Sequence, residues 1–182
     1  MTPSANTKLA APASTAYKIV EVPEATADVI KRHAMAGAFV SSSKQEGPWV
    51  RFGSQAATRH LVFDTGRHIF SNVLWMKPAG VIGTHKHRGT VVMVCLEGSA
   101  RYLEYEWPAE GDFIYEAPGL IHTLVSDDDP KGVKRFGGLQ GPIEFDDERG
   151  SLVETTEVWW FLNHYRNDCR HHGIPINQQL YF

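Results

Sequence analysis

Val81-Ile82-Gly83-Thr84-His85-Lys86-His87-Arg88-Gly89-Thr90-Val91-Val92-Met93-Val94-Cys95-Leu96-Glu97-Gly98 holds two short apolar runs, each closed by a glycine turn. Alternate residues of an extended chain project to one face, so a strand over Val81–His87 sets both imidazoles side by side. The second run, Thr90 to Leu96, is apolar almost throughout and reads as a buried strand. The same rhythm continues outward in Ile69–Met76, Ala100–Trp107, Phe113–Glu116, Ile121–Ser126 and Val133–Gln140. The breaks between them are Pro78-Ala79-Gly80, Glu110-Gly111-Asp112, Pro118-Gly119 and Asp127–Pro130. Many short strands at regular spacing predict an all-β sandwich or barrel over residues 60–150.

The flanks read differently. Residues 1–16 are Ala, Ser, Thr and Pro with little to bury, and are expected to be a flexible segment. Residues 17–59 carry a short predicted helix over Ala25–Met35 and the first strand-like residues from Gly47 onward. In residues 151–182, Val158, Phe161, Leu162, Tyr165 and Cys169 recur at helical spacing; Thr155 or Thr156 is the expected cap and Gly173-Ile174-Pro175 the stop. That stripe is expected to dock on the barrel or on a partner subunit. Trp159-Trp160 and Leu180-Tyr181-Phe182 add apolar surface that suits a homodimer or homotetramer.

A length of 182 residues with 42% hydrophobic and 11% aromatic content builds one substantial core, so a single domain is expected. A net charge of -3 without a Lys/Arg run gives no footprint for nucleic acid or an anionic membrane, which leaves small molecules as the expected partners. The two cysteines, Cys95 and Cys169, suit a reducing compartment, and neither a signal segment nor a membrane span is legible, so the expected location is cytoplasmic. Asp127-Asp128-Asp129-Pro130 reads as a solvated turn, and His33, His60, His68, His164, His171 and His172 as core or surface groups.

His85 and His87 can reach one metal ion, and a returning strand over Ile121–Ser126 can bring His122 alongside them. Here the chain resembles the cupin superfamily. Its first motif is matched by Gly80 or Gly83, His85-Lys86-His87 and Gly98; its second by Gly111-Asp112, Pro118-Gly119 and His122. The resemblance implies a jelly-roll barrel and a metal held by His85, His87 and His122. The glutamate of the first motif would fall at Val91 or Val92, neither of which ligates, so an all-histidine centre is implied. Such a centre leaves the ion's two charges uncompensated and favours an anionic, chelating substrate.

Thr84–Gly89, Gly98–Trp107, Pro118–Val125, Gly138-Leu139-Gln140-Gly141 and Asp168–Gly173 are similar to the 2,4'-dihydroxyacetophenone dioxygenase family. That resemblance implies an iron(II) enzyme that uses O2 to cleave an aromatic 2-hydroxyketone to a carboxylic acid and formate. A more distant similarity, to acetylacetone dioxygenase, implies a β-diketone instead, and a cupin holding metal only as a sensor or assembly module is the non-enzymatic alternative. Iron also suits the donor set, because imidazole binds it and dioxygen chemistry needs an ion that passes single electrons. Tyr102 or Glu104 is the candidate to orient a ligand histidine or take the substrate proton; which face of strand 100–107 turns inward is open from sequence. Trp75, Met93, Phe113, Tyr115 and Gln140 are the candidates to line a substrate pocket.

Overall fold

Burial alternates along most strands of the computed structural model, which describes residues 48–105 and 110–182. In chain order the strands are β1 (Val50–Phe52), β2 (Ala56–Asp64), β3 (Ile69–Met76), β4 (Val81–His87), β5 (Val91–Glu97), β6 (Ala100–Tyr102), β7 (Phe113–Glu116), β8 (Ile121–Ser126), β9 (Val133–Gln140), β10 (Ile143–Asp146) and β11 (Leu152–Thr156). A helix, α1 (Val158–His171), and a 3-10 turn (Gln178–Leu180) complete the order. The strands form a six-stranded sheet, β1-β2-β3-β9-β5-β7, and a five-stranded sheet, β11-β10-β4-β8-β6. Every strand pairing is antiparallel. The expected barrel is thus a jelly-roll of two facing sheets, and does not close into one continuous cylinder.

The strands expected at β3, β4, β7, β8 and β9 have the expected limits, and β5 is displaced by one residue. The strand expected over Ala100–Trp107 stops at Tyr102, because Tyr105 N–H donates to the Tyr102 carbonyl (3.2 Å) and reverses the chain within Leu103 and Glu104. Trp107 lies outside the described residues, as do the predicted helix over Ala25–Met35 and the segment 1–16. Strands β10 and β11 were not expected: four of the five β11 residues are exposed, so no apolar alternation marks it.

Gly98 closes β5 onto β6 with φ +69°, where a side chain would also strike the Gly132 carbonyl, so only glycine serves. Helix α1 buries the five residues read from the sequence, Val158, Phe161, Leu162, Tyr165 and Cys169, against Val50, Phe63 and Phe70 of the six-stranded sheet. Phe70 and Phe161 stack at 4.4 Å and close one end of the interior. Neither expected threonine caps the helix: Glu157 takes that position without a side-chain bond, and Thr156 belongs to β11. The stop is as expected, with Gly173 at φ +66° and Ile174 N–H returning to the Cys169 carbonyl.

Candidate metal centre

β4 and β8 pair so that His85 stands directly across from His122, while a bulge between Ile82 and His85 resets the phase of β4. His87, two residues along β4, shares the face of His85. All three imidazoles point into the space between the sheets and are nearly inaccessible, at 5%, 5% and 1% exposure. One ring nitrogen from each lies within 4.8 Å of the others. The Nε2 atoms of His85 and His122 are 3.0 Å apart. Two nitrogens each ~2.1 Å from one ion, subtending a right angle, stand about 3 Å apart, so this spacing fits ligands of a shared metal.

Burial fixes the charge state. Desolvation holds His85 below the ordinary imidazole range, and desolvation with neighbouring imidazoles lowers His87 to about 3 and His122 to about 2. All three are neutral near pH 7 and keep a lone pair for a metal. His85 Nδ1 lies 2.7 Å from the Gly83 carbonyl, which takes the proton there and frees Nε2 as the donor atom. Nitrogen donors of this kind suit divalent iron, zinc, nickel or copper.

The opposing sheet supplies two charged groups that the sequence reading missed. Glu116 of β7 is fully buried; its Oε2 lies 3.2 Å from His87 Nε2 and its Oε1 3.9 Å from His122 Nε2. A carboxylate thus stands beside the three histidines, at a position the sequence motif did not indicate. Val91, which stands where the motif glutamate would, pairs directly with Glu116, so a carboxylate reaches the site from the neighbouring strand. Tyr102 donates its hydroxyl to Glu116 Oε1 and stacks on His122 with ring centroids 4.1 Å apart. Burial raises Glu116 to about 7, against the lowering effects of that hydroxyl and of Arg135, and burial also pushes Tyr102 far above the ordinary phenol range. Arg135 of β9, 1% exposed, stands over the Tyr102 ring at 5.8 Å.

A cavity of about 70 Å³ joins these groups, walled by Leu74, Ile82, Met93, Leu139 and Phe145 among others. Besides the three histidines, Met93 and Tyr102 are the residues singled out from sequence that line it. Glu104 stands in the exposed turn after β6, where its Oε2 accepts from Thr123 N–H (2.9 Å) and steadies the backbone beside His122. Phe113 and Tyr115 are 67% and 55% exposed, because β7 turns Ile114 and Glu116 inward. Gln140 is exposed at the end of β9, and Trp75 lies on the outer side of β3, donating its indole N–H to the Lys131 carbonyl. His60 stays outside the cluster, packed on the Phe63 ring and bonded to Thr58.

The strand phase that reveals Glu116 was present in Phe113-Ile114-Tyr115-Glu116, but either alternate set carries apolar residues, so the pattern alone does not choose between them. Arg135 had even less signal, since an arginine in a strand ordinarily faces solvent.

The family model of the ChrR Cupin-like domain matches residues 38–131. No curated protein matches the sequence. Among solved structures, an RmlC-like cupin protein from Ralstonia eutropha JMP134 is 22% identical with a TM-score of 0.67, over 72% of this chain and 87% of that one. An acetylacetone dioxygenase from Acinetobacter johnsonii is 12% identical with a TM-score of 0.60, over 75% of this chain and 94% of that one. At these identities the likeness shows a common fold.

Proposed function

The chain belongs to the ChrR cupin-like domain family, and from that premise we propose that it is a metal-dependent dioxygenase that cleaves a carbon–carbon bond of a chelating ketone. The observation that carries the reading is the convergence of three neutral, buried imidazoles at one end of an apolar cavity. The acetylacetone dioxygenase of the same fold supports it. Iron(II), held by His85, His87 and His122, would supply Lewis acidity and one-electron reactivity toward O2 that side chains lack.

The protein's own groups divide the remaining work. Glu116 is placed to take the proton a ketone releases on enolising, since burial raises its carboxyl to about 7 and its Oε2 has no hydrogen-bond partner among the described residues. Tyr102 fixes the other oxygen, Oε1, and so aims Oε2. The walls of Leu74, Met93 and Phe145 keep water from the enolate. No described helix is long and apolar enough to cross a membrane, and the expected partners are a small ketone and O2.

Cavity size bears on which ketone. About 70 Å³ is half the roughly 150 Å³ that accommodates benzene in an engineered core. Acetylacetone is larger than benzene and needs Met93 or Phe145 to move aside, and the bulkier aryl 2-hydroxyketone implied by the dihydroxyacetophenone dioxygenase resemblance needs a greater displacement, so the cavity favours the smaller ketone. Oxygen uptake by the iron-loaded protein tests the reading, with acetylacetone and 2,4'-dihydroxyacetophenone supplied in turn. Uptake with acetylacetone is expected; uptake with formate release from the aromatic ketone would reverse the size argument. Iron binding without uptake on either ketone would remove the enzyme reading and favour a module that holds metal for structure or sensing.

A further inference from the structure

Arg135 is a guanidinium sealed between two sheets, 1% exposed, and its Nε, Nη1 and Nη2 atoms make no hydrogen bond of standard geometry among the described residues. Its charge bears on Tyr102, Glu116 and His122, so it stands within the same electrostatic cluster as the candidate ligands. Tyr102 offers the guanidinium a weak contact that leaves most of its five N–H donors unmet; buried donors without partners are costly and mark a place that a ligand can fill. The planar fork of a guanidinium matches a carboxylate in two parallel hydrogen bonds.

Charge leads to the same partner. A divalent ion on three neutral imidazoles brings two positive charges, Arg135 a third, and Glu116 returns one negative. Buried charges need compensation, and a neutral ketone, or its singly charged enolate, leaves the cavity positive. A ligand with a carboxylate as well as an enolisable ketone removes one further unit of that charge.

The space beside Arg135 is shaped for such a ligand. Gly137, two residues on and on the same face of β9, lacks the side chain that would otherwise press on Met93. Asn72 of the adjacent β3 is buried and lines the same wall. The histidines come from the five-stranded sheet and Arg135 from the six-stranded one, so a molecule bridging them touches both sides of the cavity.

We propose that Arg135 anchors the carboxylate of a short keto acid whose ketone end faces His85, His87 and His122. This narrows the substrate class and rests on the ketone-oxygenase reading only for the chemistry at the histidine end. Acetoacetate and acetylacetone form a matched pair for the test, because they differ in a carboxylate where the other has an acetyl group. Their binding to zinc-loaded protein, which does not turn over, is measured by titration calorimetry.

The expected result is that wild-type protein binds acetoacetate roughly tenfold to a hundredfold more tightly than acetylacetone, the range expected of a charge-assisted pair. In Arg135→Met that preference disappears, because acetoacetate binding weakens further than acetylacetone binding does; in Arg135→Lys part of the preference survives. Absence of any preference in the wild type overturns the proposal, and so does a folded Arg135→Met that keeps it. The wild-type comparison stands even if neither variant folds. Oxygen uptake on acetylacetone without an acetoacetate preference removes the anchor and leaves the oxygenase; a preference that depends on Arg135 without uptake on any ketone does the reverse.

Discussion

The five-stranded sheet presents His85, His87 and His122 to the cavity, whereas the six-stranded sheet presents Glu116, Arg135 and Asn72. The first set is neutral, converges on one point and suits an ion. The second, with Glu116 and Arg135 as its ionisable groups, is spread along the wall and suits the ligand that the ion would hold. Both sets lie on inward positions of regular strands, so the same alternation that builds the core also aims the chemistry. The difference lies in what each side can do alone: a metal needs converging lone pairs, while a substrate needs counter-charge and shape.

The comparison breaks most visibly on the histidine side. Replacing His122 by Ala leaves two imidazoles, too few to hold an ion in place, so metal content by elemental analysis is expected to fall close to zero and oxygen uptake with it. His85→Ala and His87→Ala are expected to act alike. Retention of metal in the His122 variant would detach β8 from the centre and return the ligand role to β4 alone.

Glu116→Gln probes the opposite wall and is expected to be milder. Metal should remain on the three histidines, with reduced affinity, because Glu116 faces the ligating side of His87 and His122 and offsets part of the ion's charge. Oxygen uptake should fall further than metal content, because the amide cannot accept the ketone's proton. Equal losses in binding and uptake would make Glu116 a ligand in its own right and erase the division between the sheets.

How far the sequence disclosed this division follows from the same physics. His85-Lys86-His87 and His122 were legible because histidines at strand spacing, beside glycine turns, have few structural explanations. The limits of β3, β4, β7, β8 and β9 were legible because apolar runs end at Gly, Pro or Asp. Glu116 was hidden by the ambiguous phase of Phe113–Glu116, and Arg135 by the ordinary expectation that arginine faces water. The facing of Glu104 was open because the strand is expected to run past Tyr102, whereas a backbone bond from Tyr105 ends it there. These are tertiary facts: they depend on which strand lies opposite, and Val91 opposite Glu116 is visible only once β5 and β7 pair.

The two walls also titrate in opposite senses. His87 and His122, lowered to about 3 and 2, stay neutral in the folded metal-free protein but charge near 6.5 once unfolded. Buried His60, lowered to about 3, behaves likewise. Their contribution is complete above pH 6.5 and is lost as pH falls below it, at about 1.4 kcal/mol per pH unit for each histidine that stays neutral. Glu116, raised from 4.5 to about 7, works the other way: its contribution is complete below pH 4.5 and is lost as pH rises toward 7. Denaturant unfolding of metal-free protein between pH 4 and pH 7 should show stability rising with pH, and Glu116→Gln should steepen that rise. An unchanged profile in the variant would mean that folding leaves the Glu116 carboxyl at its ordinary value, and its place as a proton acceptor would fall.

The smallest expected effect tests the strand phase on which the whole contrast depends. β7 turns Ile114 and Glu116 inward, leaving Phe113 67% and Tyr115 55% exposed. A slip of one residue would exchange the two sets and carry Glu116 out to solvent. With the observed register, Phe113→Ser and Tyr115→Ser remove side chains that bury little, so stability should stay within about 0.5 kcal/mol and metal content should not change. Ile114, 2% exposed among Val91, Met93 and Leu139, is the internal contrast, and its truncation to Ala should cost roughly 2–5 kcal/mol. Calorimetric or denaturant unfolding of the three variants reads the phase directly. Were Phe113→Ser the damaging one, Glu116 would lie outside the cavity, and the six-stranded sheet would keep Arg135 as its charged group there.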